Sequence, residues 1–441
     1  MTTTQDVRAN AENNYVNAQA TATSSPPVLL MATVRWPNVA LLAVELAKAG
    51  CDVSVVCPAS HPLLRTRAVR RTFPYRSLRP LDALKAAIES AKPRIVIPCD
   101  DRVVQHLHEL HAEARRSGSA GNKLAALIED SLGSPASYQI VFARSDFLRI
   151  AREEGLLVPE TEAISSLDSL RSWQMRQPFP WVFKTDGTYG GSGVKIAHTS
   201  QQAEKFLRSL SRYYTAGRAI KRALVDRDTF WIRPWRQGVR PAISVQAYIR
   251  GRPANCGVVC WKGKVLAGIC VEVVRTAGPT GPATVVRVVN NADMRLSAER
   301  IAGRLGLSGF FGLDFMIEDG SGSTYLIEVN PRPTRVTNFQ LGEGRDPVGA
   351  LVTQLSGQTS RNRPPVTQKE MIAYFPDALD CSSELLRSSF QDAPEGEPDL
   401  VQELLRPWPP KGLLWHLVNQ LDQVKKRLRG SDAHPESESQ G

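Results

Sequence analysis

The chain has 441 residues, of which 42% are hydrophobic and 22% are charged, so it can bury a sizeable core, and its length indicates two or three domains. Charged residues interrupt every apolar run before it reaches the roughly 20 residues that a membrane span needs. No transmembrane helix is therefore predicted. The formal net charge is +11. Because the arginines are spread along the chain and no nucleic-acid-binding motif accompanies them, we expect a small anionic substrate and no nucleic-acid partner.

The first 26 residues are small and polar and lack the apolar segment of a secretion signal, so we predict a disordered arm over residues 1–26. Seven cysteines stand singly, mostly within apolar strand-like text, and no two form a C-x-x-C pair. This usage is typical of buried free thiols in a reducing compartment, and it predicts a cytoplasmic protein.

Alternating strand and helix patterns follow in residues 27–120. The apolar text VLLMAT, a helical pattern over 37–49 and DVSVVC form a β-α-β unit, and RIVIP at 94–98 precedes an amphipathic helix over 101–116. These patterns predict a small doubly wound α/β domain. No G-x-G-x-x-G turn follows the first strand, where the text is ATVRWPN. We therefore expect this domain to have a packing role or to contribute to a substrate site, without binding a nucleotide in the Rossmann manner.

A helix then begins near SDFLRIAREE, with Ser145 or Asp146 as its expected N-cap. Beyond it the text is rich in strands, with helices expected over 200–210 and 293–305, and turns at Lys262 to Lys264 and in EDGSGS predict two β-hairpins. This region, residues 121–357, is predicted to be an antiparallel α+β domain.

Four glycines lie within seven residues in FKTDGTYGGSGVKI, between two apolar runs. Glycine allows backbone N–H groups to converge on an anion, as in phosphate-binding nests. The stretch is not a Walker loop, because no G-K-[ST] follows at the required spacing. A flexible hairpin without a ligand is the alternative. Lys184, on the strand that enters the loop, favours the phosphate interpretation because its ammonium could reach the same anion.

A second polar constellation lies in GLDFMIEDGSGSTYLIEVNPRPT. Glu328 and Asn330 are two residues apart and so share one face of a strand, and a hairpin would place Asp314 across from Glu328. Two carboxylates and an amide oxygen are hard donors that suit Mg²⁺ carrying nucleotide phosphates. A solvent-facing polar stripe is the alternative. Arg332 could then bind a transferring phosphoryl group or a substrate carboxylate.

In this order the motifs resemble those of the ATP-grasp superfamily, in particular its carbamoyl-phosphate-synthase-like and biotin-carboxylase-like members, over about residues 27–355. The resemblance implies a pre-ATP-grasp domain followed by an ATP-grasp fold, which includes a glycine-rich lid region at about 160–245. It also implies a set of ATP contacts, with Mg²⁺ or Mn²⁺ bound by Asp314, Glu328 and Asn330. The implied ATP-binding residues are the triphosphate base Arg144, Lys184, the mobile loop residues Thr188, Gly190, Gly191, Ser192 and Gly193, and the adenine-binding segment Gln246, Ala247, Tyr248 and Ile249.

Catalytic roles are implied for Arg332, Lys184 and Arg275, the last at a loop where relatives often bind the acceptor. Ala254 stands near the position where many members have a ribose-binding acid, so we expect reduced nucleotide affinity. The implied activity is that of a carboxylate–amine or carboxylate–thiol ligase that forms an acyl-phosphate and releases ADP and phosphate. The alternatives are bicarbonate activation of the biotin-carboxylase type and a non-catalytic nucleotide-binding protein.

Residues 358–441 read as a Pro-rich linker, one strand in MIAYF, and an amphipathic helix from Lys411 with a basic end. We expect this helix to dock on the protein's own core or across a homo-oligomer interface, and binding to a membrane surface is the alternative. The principal partners predicted from the implied activity are a small-molecule carboxylate and an amine.

Overall fold

The computed structural model describes residues 25–186, 193–211, 214–225, 229–238, 240–278, 281–358 and 363–406. Within these ranges, no helix combines the length and apolarity that a membrane crossing requires. Most of the predicted N-terminal arm and the predicted basic C-terminal helix lie outside the described residues.

The N-terminal part forms a four-stranded parallel sheet in the order β3-β2-β1-β4. Its elements are β1 (Pro27–Met31), α1 (Pro37–Lys48), β2 (Asp52–Cys57), β3 (Val69–Pro74), α2 (Pro80–Ala91), β4 (Ile95–Pro98) and α3 (Asp101–Arg116). Alternate residues of β1 serve opposite faces. Val28 and Leu30 pack with the residues of α1, whereas Leu29 and Met31 pack with α2 and α3. The predicted doubly wound domain is confirmed.

Two helices connect this sheet to the rest of the chain: α4 (Asn122–Leu132) and α5 (Arg144–Glu153). Ile128 of α4 is buried in the same core cluster as α3 of the parallel sheet. The prediction that Ser145 or Asp146 caps α5 is wrong. Ala143 is the N-cap and makes no side-chain capping hydrogen bond, so Arg144 is the first helical residue. Asp146 lies in the first turn, where its negative charge interacts favourably with the helix dipole.

A small antiparallel sheet of order β5-β8-β6-β7 occupies the predicted lid region. Its elements are β5 (Thr161–Ala163), α6 (Leu167–Gln174), β6 (Trp181–Thr185), β7 (Lys195–Ala197), α7 (Ser200–Ser211), α8 (Ala216–Val225), α9 (Ile232–Arg236) and β8 (Ile243–Ala247). Trp173, Trp181 and Phe183 are fully buried between this sheet and its helices. Burying three large aromatic side chains gives this small unit a core of its own.

The largest sheet has seven strands in the order β13-β12-β9-β10-β11-β14-β15, and all its pairs are antiparallel except β14 with β15. Its strands and associated helices are β9 (Gly251–Trp261), β10 (Lys264–Thr276), β11 (Ala283–Val289), α10 (Ala292–Leu305), β12 (Gly309–Glu318), β13 (Thr324–Asn330), α11 (Pro347–Ser356), β14 (Met371–Ala373), α12 (Ser383–Ser388), β15 (Phe390–Gln391) and α13 (Pro398–Leu405). Both predicted hairpins are present. Lys262 and Gly263 have positive φ, as the tight turn between β9 and β10 requires.

The two faces of this sheet differ. One face packs on α10 through Leu313, Phe315 and their neighbours. The other packs on the segment that follows β13, through Phe339 and Leu341. All seven cysteines are free and buried, as predicted. After β14 the chain returns to the parallel sheet, where Leu400 and Leu404 of α13 join the α1 core.

Candidate functional site

The hairpin of β12 and β13 carries the predicted oxygen ligands. Asp314 pairs directly with Glu328 and Gly312 pairs with Asn330, so the sequence-based expectation of opposed carboxylates is confirmed. A register shift follows Asp314. Such a bulge re-aims side chains locally, a feature often seen beside active sites.

Asp314 is held by two amides. Its Oδ2 accepts from Asn330 Nδ2 at 2.9 Å, and its Oδ1 accepts from Asn255 Nδ2 at 2.6 Å. Burial raises the pKa of Asp314, and the negative charge of Glu328 raises it further. Asn255 was not predicted from the sequence. It lies on β9 directly opposite Asp314, so strand pairing, which the sequence did not resolve, is what brings it here.

Glu328 carries the opposite pKa shift. Burial would raise its pKa, but the positive charges of Arg144 and Lys184 outweigh that effect and lower it. Arg144 Nη2 donates to Glu328 Oε1 at 2.9 Å, and Arg144 Nη1 donates to Asp186 Oδ1 at the same distance. The opposed pKa shifts of Asp314 and Glu328 show a pair of carboxylates placed in different electrostatic environments, which is a common property of functional sites.

Lys184 lies on β6 with only 5% of its surface exposed, and its Nζ has no hydrogen-bond partner among the described residues. Burial and the neighbouring Arg144 lower its pKa to about 8. Buried ammonium groups are ordinarily paired, because an unsatisfied one loses its hydration without compensation. The ammonium of Lys184 thus lies beside Arg144 and near the carboxylates of Glu328, Asp314 and Asp186, without a hydrogen bond to any described residue.

Arg332 follows β13 and is also held in place. Its Nε donates to Asp101 Oδ1 and its Nη2 donates to Asn330 Oδ1, both at 3.1 Å. Its guanidinium carbon lies 5.0 Å from the ring centroid of Trp36. The structure thus brings together six predicted residues from three parts of the chain, namely Arg144, Lys184, Asp314, Glu328, Asn330 and Arg332.

Two glycines allow the segment after β13 to approach the sheet. Gly257 and Gly312 are paired on β9 and β12. A Cβ on Gly257 would lie 2.4 Å from Val336 Cγ2, and one on Gly312 would lie 2.2 Å from Thr334 Cγ2. The close approach sets the path of the segment that begins with Arg332.

A cleft opens beside these groups. Arg144, Asp186, Glu328 and Asn330 supply its polar wall, and Asp101 contributes from the N-terminal sheet. Phe142 and Phe147 are on its apolar wall. The cleft lies at the junction of the parallel sheet and the large antiparallel sheet.

Part of the predicted adenine-binding segment lies within a strand. Gln246 pairs with Thr161 on one side and with Val182 on the other, and the N–H of Ala247 donates to the carbonyl oxygen of Glu160 at 2.9 Å. Tyr248 and Ile249 follow the end of β8. The backbone groups of Tyr248 and Ile249 are therefore better candidates for adenine binding than those of Gln246 and Ala247.

Two other predicted positions lie apart from the cluster. Arg275 donates to Asp380 Oδ2 at 3.2 Å near the exposed end of β10, and it is not among the groups around Glu328. Ala254 is buried in the core beside Phe315, on the opposite face of β9 from Asn255. Strand alternation points Ala254 toward α10 and away from Asp314, and the expected reduction in nucleotide affinity stays a prediction.

The remaining predictions concern the glycine loop and the metal. Thr188, Gly190, Gly191 and Ser192 lie outside the described residues, and Gly193 follows that stretch. Among the residues that the structure describes, no group of three or more His, Cys, Asp and Glu side chains is arranged to bind a metal ion. The predicted set combines two such carboxylates with an amide, all oxygen donors of the kind that Mg²⁺ prefers.

Comparison with known proteins identifies the same region. Residues 148–336 match the profile of the ATP-grasp domain family. The arginine-specific large chain of carbamoyl phosphate synthase from Geobacillus stearothermophilus is 26% identical over 242 residues, which are 53% of this chain and 21% of that one. The chain thus spans about a fifth of the length of this relative.

Solved structures agree in fold. The L-amino acid ligase from Bacillus licheniformis superposes with a TM-score of 0.54 at 16% identity, covering 78% of this chain and 79% of that chain. The biotin carboxylase domain of the Hydrogenobacter thermophilus 2-oxoglutarate carboxylase, solved with MgADP, ADP and bicarbonate, gives 0.51 at 15% identity, covering 76% and 70%. Residues 148–336 of this chain therefore match the ATP-grasp domain family, and the chain shares its overall fold with these two solved structures.

Proposed function

We propose that the protein is an ATP- and Mg²⁺-dependent ligase that activates a carboxylate as an acyl-phosphate for attack by an amine, with release of ADP and phosphate. The observation that carries the proposal is the buried ammonium of Lys184, which has no hydrogen-bond partner among the described residues and lies beside Arg144 and the Asp314–Glu328 pair. The relatives described above include a ligase of amino acids and a carboxylase solved with MgADP and bicarbonate, which supports the same class of reaction.

Each part of the cluster has a role in this reaction. Lys184 and Arg144 would bind phosphate oxygens and neutralise their charge, which is the main requirement of phosphoryl transfer. Asp314, Glu328 and Asn330 would hold Mg²⁺, which when bound neutralises further phosphate charge. Their oxygen donors fit that ion, and Asn255 keeps Asp314 oriented. Arg332 would bind the carboxylate that receives the phosphoryl group.

A carboxylate oxygen of the acid forms a bond to the γ-phosphorus while the bond from that phosphorus to the β-γ bridging oxygen breaks, and ADP leaves. The amine nitrogen then bonds to the acyl carbon, phosphate leaves with its oxygen, and the amine gives up a proton. No covalent bond to the protein is required, so positioning and electrostatic stabilisation account for the catalysis.

A panel assay tests the proposal. The purified protein with Mg·ATP is offered pairs of amino acids, other small carboxylates with amines, and bicarbonate, and ³¹P NMR identifies the nucleotide products. We expect ADP and phosphate with at least one pair. Release of AMP and pyrophosphate would refute the mechanism.

Two further outcomes separate the alternatives. Release of ADP only when bicarbonate is the acid would establish the carboxylase type of activity. Binding of Mg·ATP without turnover for any pair would establish a non-catalytic nucleotide-binding protein.

A further inference from the structure

The carboxyl edge of the parallel sheet faces the candidate site. In open α/β sheets this edge is where ligands bind, because the loops that follow the strands converge there. Here the segment after β1 contains Thr33 and Trp36, and the segment after β4 contains Asp100 and Asp101. Both Trp36 and Asp101 contact Arg332, which belongs to the ATP-grasp domain.

The contacts fix the plane of the Arg332 guanidinium. Its Nε donates to Asp101, its Nη2 donates to Asn330, and the ring of Trp36 lies over one face of the guanidinium. Arg332 is 8% exposed, so these contacts are largely shielded from water. Within the described part of the chain, no hydrogen bond engages Nη1. The arrangement leaves one donor edge of a rigid, planar cation available for a ligand.

Asp100 braces the two contributing segments against each other. Its carboxylate accepts from the backbone N–H of Thr33 at 2.5 Å and from the Thr33 hydroxyl at 3.0 Å. It also accepts from Val34 N at 3.3 Å, and from Val103 N at 3.1 Å as the N-cap of α3. Asp100 thereby ties the segment carrying Trp36 to the helix that begins with Asp101.

Stability alone is a weak reason for such an ion pair. Replacing a buried ion pair with well-packed apolar groups is often neutral or stabilising, because desolvating two charges offsets their attraction. An aspartate that orients an arginine by a fixed hydrogen bond has another use, since a misplacement of about 1 Å can reduce a rate on the order of 10²-fold. The cleft beside Asp101 and Asn330 supplies the space in which that orientation would matter.

We propose that Asp101 and Trp36 are positioning residues that aim the free edge of Arg332 at the substrate carboxylate, so that the N-terminal domain completes the ATP-grasp site. This inference rests on the proposed function. It also gives the domain that lacks a dinucleotide motif a specific role in the reaction.

Steady-state kinetics of Asp101→Asn test this role, with Asp101→Glu as the charge-retaining variant. Asp82→Asn is the matched control, because Asp82 also lies in the first turn of a helix of the same domain and is exposed. For Asp101→Asn we expect kcat/KM for the acid to fall by about 10- to 100-fold. We expect the Kd of Mg·ATP to stay within about threefold of the wild type.

We expect Asp101→Glu to recover part of the lost kcat/KM. We also expect Trp36→Phe to lose less kcat/KM than Trp36→Leu. The proposal is overturned if Asp101→Asn and Asp82→Asn have indistinguishable kinetics, or if Asp101→Asn changes Mg·ATP binding and kcat/KM equally.

A second measurement does not depend on turnover. Phenylglyoxal modifies accessible arginines, and peptide mass spectrometry reports the rate at Arg332. We expect slow labelling in the wild type and in Asp82→Asn, and labelling at least about fivefold faster in Asp101→Asn, because the Nε contact is weakened. Equal rates in all three proteins would refute the orienting contact, even if the wild type had no ligase activity. An absence of turnover with the expected labelling would refute only the proposed function.

Discussion

Two clusters of buried positive charge, one around Arg335 and one around Lys184 and Arg144, differ in how completely their cations are paired. Arg335 donates through Nε and Nη2 to both oxygens of Asp392, through Nη1 to Asp377, and to the carbonyl oxygen of Phe375, while it stacks on Tyr374. Lys184 has no hydrogen-bond partner among the described residues.

This difference in pairing distinguishes an arginine that stabilises the fold from a lysine that we propose binds a ligand. A fully paired arginine is satisfied by the fold itself, and Arg335 joins the segment after β13 to the chain beyond β14. An ammonium that is buried and unpaired lowers stability unless a ligand arrives. We therefore expect substitutions in the two clusters to affect opposite properties: stability for Arg335, and nucleotide binding and turnover for the Lys184 cluster.

The largest effect on stability is expected from Arg335→Met. Removing this side chain leaves Asp392 buried without its cation, which costs about 3–5 kcal/mol in comparable pairs. The melting temperature should fall by several degrees, as measured by differential scanning calorimetry. Arg115→Met, at an exposed arginine in the last turn of α3, should change it little. If both variants melt together, the interpretation of the Arg335 cluster is wrong.

The largest effect on turnover is expected from Glu328→Gln. The change removes the charge of a carboxylate that we propose to bind Mg²⁺ and that pairs with Arg144, while it preserves shape, so ADP release should fall by about 10²- to 10³-fold. Glu299→Gln, at an exposed position of α10, serves as the control. Retention of wild-type turnover by Glu328→Gln would contradict the assignment.

Gly257→Ala tests the close approach of the segment after β13. The added methyl group would meet Val336 Cγ2 at 2.4 Å, so the segment must shift, at a cost of about 1–3 kcal/mol. We expect a lower melting temperature together with reduced kcat, because Arg332 begins this segment. Gly217→Ala, which places a methyl group in open space on α8, should preserve both. Unchanged kcat in Gly257→Ala would show that the position of this segment does not affect catalysis.

The smallest predicted effect is a pH dependence. The pKa of Lys184 is lowered to about 8, so in the free protein its ammonium is present below pH 8 and is lost as the pH rises through that value. Because phosphate binding requires the charged form, the Kd of Mg·ATP should rise by about tenfold per pH unit above 8. Isothermal titration calorimetry measures it. Lys184→Arg should remove the dependence between pH 8 and 9.5, since arginine stays protonated, and an equally steep rise in that variant would assign the titration elsewhere.

The sequence predicted the parts of the site that depend on local pattern. The glycine-containing turn and strand alternation were enough to pair Asp314 with Glu328 and to put Asn330 on the same face. The order of Arg144 and Lys184 ahead of this hairpin completed the prediction. Each of these inferences needs only short-range geometry or the known order of a family's motifs.

Other features depend on register and tertiary contact, which a single sequence leaves open. Ala254 and Asn255 are neighbours, and only the pairing of β9 with β12 decides which of them faces the site. Asp101 lies 231 residues before Arg332, and no local pattern joins them. Arg275 was chosen for its place beside a loop, but its position at the exposed end of β10 gives it Asp380 as a partner.

We propose that the buried ammonium of Lys184, which has no hydrogen-bond partner in the part of the chain that the structure describes, binds a phosphate of ATP. Thermal unfolding of the wild type and of Lys184→Met, each with and without Mg·ATP, tests it most directly. Mg·ATP at 100 times its Kd should stabilise the wild type by about 2.7 kcal/mol. We expect Lys184→Met to melt at the same or a higher temperature without nucleotide, because a costly buried charge is gone, and we expect Mg·ATP no longer to raise its melting temperature. A variant that is destabilised without nucleotide and still shows the full Mg·ATP shift would contradict the account.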